Sequence, residues 1–71
     1  MIIIKFASPL VPPRGQDICD SLAIRYLGYD FALTNDDSIT VDTTDEQLID
    51  QIAAYVHQVF GETVADTLEQ I

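Results

Sequence analysis

Tryptophan is missing from this chain, and cysteine, methionine and histidine occur once each. A single cysteine, Cys19, excludes an intramolecular disulfide framework and fits a reducing compartment. A single histidine, His57, and that single thiol leave too few soft ligands for a transition-metal site. No apolar run approaches the roughly 20 residues needed to span a bilayer. The opening Met1-Ile2-Ile3-Ile4 stretch meets Lys5 at once and has no basic segment before it, unlike a secretion signal. A cytoplasmic protein is expected. The three glycines are scattered, so there is no glycine-rich phosphate loop.

The scarcest feature is positive charge. Lys5, Arg14 and Arg25 are the only cations, and from Tyr26 to Ile71 there are none. That second stretch holds Asp30, Asp36, Asp37, Asp42, Asp45, Glu46, Asp50, Glu62, Asp66 and Glu69, and the chain as a whole carries a net charge of −9. Carboxylates without local counter-charges set up a negative field of several kT over the surface. Direct nucleic-acid binding and anionic membranes are thereby disfavoured, and basic proteins become the natural partners.

What is present is the material of one small domain covering residues 1–71. Hydrophobic residues make up 48% of the 71, too many for disorder. A chain of this length buries only about 60% of the surface it exposes when unfolded, so the core is thin. Residues 2–7 are β-branched and aromatic, with Ile2, Ile4 and Phe6 alternating against Ile3, Lys5 and Ala7, and read as a strand. Residues 8–15 contain three prolines and read as a loop. Ile18, Cys19, Leu22, Ala23 and Tyr26 recur at helical spacing over about 16–27, and Gly28 supplies a stop. Residues 29–34 and 38–42 alternate about the turn formers Asn35, Asp36 and Asp37, which makes a hairpin.

A second helix follows, capped by Thr43 or Thr44 with Glu46 or Gln47 closing a capping box. Its stripe is Leu48, Ile49, Ile52, Ala53, Val56, Val59 and Phe60, and Gly61 breaks it. Val64, Leu68 and Ile71 continue an apolar period, so residues 62–70 are expected to form a short further helix or a bent extension. The order βαββα(α) implies a two-layer α/β (α+β) domain, a three-stranded sheet with helices on one face. It resembles a ferredoxin-like fold that has lost its last strand. The first strand would then have an open edge, either covered by the C-terminal segment or used to pair with another chain.

Catalysis finds little support, and no cofactor is implied. His57 lies two helical turns from Asp50, beyond hydrogen-bond reach, and Cys19 falls on the apolar stripe, where a buried structural thiol is expected. The twelve-residue window from Asn35 to Glu46 starts like a calcium loop but places Ile39 at a ligand position and Thr40 where the turn needs glycine. No metal site is expected.

Asp36, Asp37, Asp42, Asp45, Glu46 and Asp50 form the densest acidic block and are the candidate partner-binding residues. Glu46 and Asp50 repel at i, i+4, where a lysine would have stabilised the helix by a few tenths of a kcal/mol. In size and charge the chain resembles the small nucleic-acid-mimicking inhibitors that phages and mobile elements direct against restriction enzymes, CRISPR effectors or repair glycosylases. That resemblance lies in composition and carries no motif. It implies a non-catalytic inhibitor that occupies the basic surface of a nucleic-acid-binding protein or nuclease complex. The alternative is a small regulatory or interaction module that forms a homodimer, or binds a partner, through the exposed edge of the first strand.

Overall fold

A computed structural model describes residues 1–69 and gives the order β1 (Ile2–Phe6), α1 (Arg14–Arg25), β2 (Phe31–Asn35), β3 (Ser38–Val41), α2 (Glu46–Phe60), β4 (Val64–Glu69). The strands form one antiparallel sheet in the order β2-β3-β1-β4. The domain is therefore mixed α+β, with two helices and four strands.

The alternation read in β1 sets the layers. Ile2, Ile4 and Phe6 are buried while Lys5 is exposed, and the register places Ile2 beside Val41 and Ile4 beside Ile39 on the same face. Against that face lie Ile18, Cys19 and Leu22 of α1 and Leu48, Ile49, Ile52 and Val56 of α2, forming one core with Leu10 of the proline loop. Each side chain taken fully out of water here contributes roughly 1.5–3 kcal/mol. The opposite sheet face, with Ile3, Lys5, Ala32, Thr40, Asp66 and Leu68 by register, has no helix over it.

Two of the three cations, both exposed, make contacts across the helices. Arg14 donates from Nη1 to the Phe60 carbonyl at 2.8 Å and lies 4.0 Å from Glu62. Arg25 sits 4.5 Å from the Tyr55 ring centroid and 5.8 Å from that of Tyr26. With the 2.6 Å hydrogen bond between the Ser21 and Tyr55 hydroxyls, these contacts fasten α1 to α2.

The C-terminal segment departs from the sequence expectation. Residues 64–69 are a strand and not a helix, so the sheet has four strands instead of three and the last strand is present (residue 70 and Ile71 lie outside the described residues). A register shift explains the misleading period. Phe6 pairs with Val64 but Lys5 pairs with Asp66, so one extra residue bulges from β4. The bulge turns Val64 toward the core and Leu68 away from it, although four residues apart they would share a face in a regular strand. Of the two alternatives for the edge of β1, the structure shows the first: the C-terminal segment covers it as β4, so β1 is a central strand paired on both sides and its edge is not open to another chain. The edges belong to β2 and β4.

Smaller differences concern the helix starts. Asp45, and neither threonine, caps α2, its Oδ1 accepting from the Gln47 and Leu48 amides at 3.0 and 3.4 Å. The Thr43 hydroxyl instead accepts from the Asp45 amide at 3.1 Å. Gly61 ends α2 in the left-handed conformation at φ 73° and returns its amide to the His57 carbonyl.

Candidate acidic interface

The six acids of the sequence block fall into two groups. Asp36 and Asp37 form the two-residue turn between β2 and β3, at the end of the sheet where β1 finishes. Their carbonyls accept from Leu10 and Phe6 at 2.6 and 2.8 Å, and the Asp37 carboxylate accepts from the Ser38 hydroxyl at 3.0 Å. No non-glycine residue has a positive φ, so this turn is not of the type that matches strand twist, and a register shift between Leu33 and Asn35 absorbs the mismatch.

Asp42, Asp45, Glu46 and Asp50 lie at the opposite end, where β1 begins. The run of β3 from Asp37 to Asp42 separates the two groups, roughly 16 Å at about 3.3 Å per residue. The structure therefore does not bring all six together. It adds two acids that the linear block omitted. The Asp42 amide donates to the Asp30 carbonyl at 3.1 Å, which fixes Asp30 beside Asp42. Glu69 pairs with Ile2 and, with Glu46, Asp50 and Thr67, borders a cleft of about 230 Å³ between α2 and β4.

The acidic end thus carries Asp30, Asp42, Asp45, Glu46, Asp50 and Glu69, all exposed. Asp30 was reachable from the sequence, because a tight turn at Asp36 and Asp37 carries the hairpin register out to it. Glu69 was not, because its place depends on β4 and its bulge. Arg25, at the C-terminal end of α1, lies toward this same end but stacks on Tyr55, and none of the six acids forms an ion pair among the described residues. Arg14 and Arg25 are held between the helices, Lys5 lies beside Asp66 on the open sheet face, and Arg14–Glu62 is the only ion pair among the described residues.

No family model, curated protein or solved structure matches this chain. Among the described residues, no group of three or more His, Cys, Asp and Glu side chains is arranged to hold a metal ion. The calcium-loop-like window is drawn out by β3, which sends Asp37 and Glu46 to opposite ends of the sheet. His57 is exposed on α2, whereas Cys19 is 3% exposed within the core. Burial, and then the neighbouring Asp20 carboxylate, push the Cys19 thiol from 9.0 to about 11, the reverse of what a nucleophile requires. No helix among the described residues is long and apolar enough to cross a membrane.

The acids of this end stand on ordered backbone. Asp30 and Asp42 are fixed by the β2–β3 ladder, Asp45 by its capping bonds, and Glu46 and Asp50 by the first turns of a 15-residue helix. Because that backbone is already ordered, meeting cations costs such carboxylates less ordering than it costs acids on a mobile tail.

Proposed function

We propose that this chain is a non-catalytic acidic binding protein whose acidic end engages the basic surface of a nucleic-acid-binding protein or nuclease complex, as an inhibitor that mimics nucleic acid. The supporting observation is the set of six exposed carboxylates at one end of the sheet, none of them in an ion pair among the described residues. Proteins that grip nucleic acid present arrays of Lys and Arg to phosphates, and carboxylates on a rigid frame can occupy the same array. The setting in this reading is cytoplasmic, of the phage or mobile-element kind, and the βαββαβ order is taken as a complete ferredoxin-like frame. Asp36 and Asp37 then form a secondary contact and not the centre of the surface.

The test is retention of lysate proteins on the immobilised chain, eluted by a salt ladder and challenged with duplex DNA. Retained proteins are expected to elute between about 50 and 200 mM salt and to be displaced by DNA. The triple variant Asp42→Asn, Glu46→Gln, Asp50→Asn should lose them, while Asp36→Asn with Asp37→Asn should weaken retention less. Retention indifferent to salt and unchanged in the triple variant would refute the reading.

A further inference from the structure

The two sheet edges are defended very differently. β4 carries Asp66 and Glu69, the kind of charge that discourages a further strand. β2 reads Phe-Ala-Leu-Thr-Asn, with no charge and no proline, and all of it but Phe31 is exposed. Its free backbone groups follow from the ladder. The Asp42 amide bonds the Asp30 carbonyl, so Asp30 and Asp42 are a hydrogen-bonded pair. Alternation in an antiparallel ladder makes Ala32 with Thr40 the next such pair. Phe31 and Leu33 turn their N–H and C=O groups away from β3, to a side where no strand pairs with β2 among the described residues.

That side of β2 has a floor toward the helices. Leu33, 43% exposed, borders an apolar cleft of about 280 Å³ with Leu10, Pro12, Pro13 and Gly15. Gly15 lets Leu33 pack directly against α1, since a Cβ there would stand 2.7 Å from the Leu33 Cδ1. An added strand would find backbone partners at Phe31 and Leu33 and a hole for one apolar side chain beside Leu33.

Charge selects the occupant. Asp30 stands just before β2, and Asp36 just after it lines the cleft. A second copy paired about a two-fold axis at Leu33 would set Asp30 of each chain against Asp36 of the other, four like charges on the rim. An extended segment with a cation at each end meets the same residues favourably. We infer that the free edge of β2 docks an extended peptide segment of a partner protein, apolar at alternate positions and basic at its ends, as a fifth strand. This goes beyond the proposed acidic interface: it shares Asp30 and Asp36 with that surface, but its backbone partners and its apolar cleft lie on β2, and it stands or falls separately.

The probe is the synthetic peptide Lys-Leu-Thr-Val-Thr-Leu-Lys, followed by amide hydrogen exchange and chemical shifts of the intact chain. Slowed exchange is expected at the Phe31 and Leu33 amides, abolished when alternate peptide amides are N-methylated. Binding should be about tenfold weaker when the terminal lysines become glutamates, and the variant Leu33→Asp should weaken it by a similar factor. The triple variant at Asp42, Glu46 and Asp50 should still protect Phe31 and Leu33, and the Leu33→Asp variant should keep its salt-dependent retention of lysate proteins. Unchanged exchange at Phe31 and Leu33 would overturn the inference. So would protection that arises without peptide and tracks dimer formation, which would make a second copy the occupant, or shifts confined to the acidic end.

Discussion

Asp45 is placed where structural and electrostatic roles can be separated within one side chain. Its Oδ1 takes the amides of Gln47 and Leu48 at 3.0 and 3.4 Å, two of the four amide groups that open α2 without a helical partner. Replacing an Asp cap by alanine costs about 1 kcal/mol, with roughly 0.5 kcal/mol more from the charge lost at the positive end of the helix. Removing a carboxylate next to Glu46 and near Asp42 returns a few tenths of a kcal/mol. The net for Asp45→Ala is a loss of about 1–1.5 kcal/mol, which lowers the melting temperature of a domain this small by about 5–10 °C. Asparagine caps as well as aspartate, so Asp45→Asn keeps both bonds and stays within about 0.5 kcal/mol of the parent. Thermal melts followed by circular dichroism, at low and at high salt, read both variants. Salt should narrow the gap between the parent and Asp45→Asn, which is a matter of charge, and leave the gap between Asn and Ala, which is a matter of hydrogen bonds. Equal destabilisation by Asn and Ala, or none by Ala, would refute the assignment of Asp45 as the cap. If the cap role holds, Asp45→Asn should also weaken partner retention less than the triple variant does.

Two further outcomes are expected. The Cys19 thiol is held neutral in the folded chain, so its contribution to stability is full below pH 9 and is lost as pH rises from about 9 toward 11; the loss approaches about 2.7 kcal/mol for a two-unit shift. Urea titrations at pH 7, 9 and 10.5 on the parent and on Cys19→Ala check this, and a variant with the same alkaline loss as the parent would exclude Cys19 as its source. Gly61→Ala should cost about 1 kcal/mol in urea denaturation, because φ 73° is strained for alanine while no atom stands within 4 Å of the added Cβ; a neutral result would mean that the helix ends otherwise.

Much of the fold could be read from local pattern. The alternation of Ile2, Ile4 and Phe6, the hairpin about Asp36 and Asp37, and the stripe from Leu48 to Val56 each encode their element within a few residues. β4 could not be read this way. Its bulge disguises a strand as a helical period, and its cause is non-local, namely the unpaired side of β1 that it covers. The candidate site follows the same division. The acidic block is legible as composition, but its partition between two ends, and the recruitment of Asp30 and Glu69, depend on the direction of β3 and on β4. The β2 edge carries no such signal in its own sequence, since which strands lie outermost is set by how the chain folds back and not by any local pattern.

The central position of β1 also bears on how the chain comes together in time. β1 is made early, and β3, its first neighbour, follows after one helix and one strand. Its other neighbour, β4, is the last element of the fold, so the pairing of Ile2 with Glu69 closes a loop spanning nearly the whole chain. Helices and the β2–β3 hairpin can form from near neighbours, but the sheet cannot be completed until that longest loop closes, the slow kind of contact. In the interval the most apolar strand of the molecule has one bare side. The time the chain spends in that unfinished state, more than the stability of the finished one, sets its exposure to misassembly.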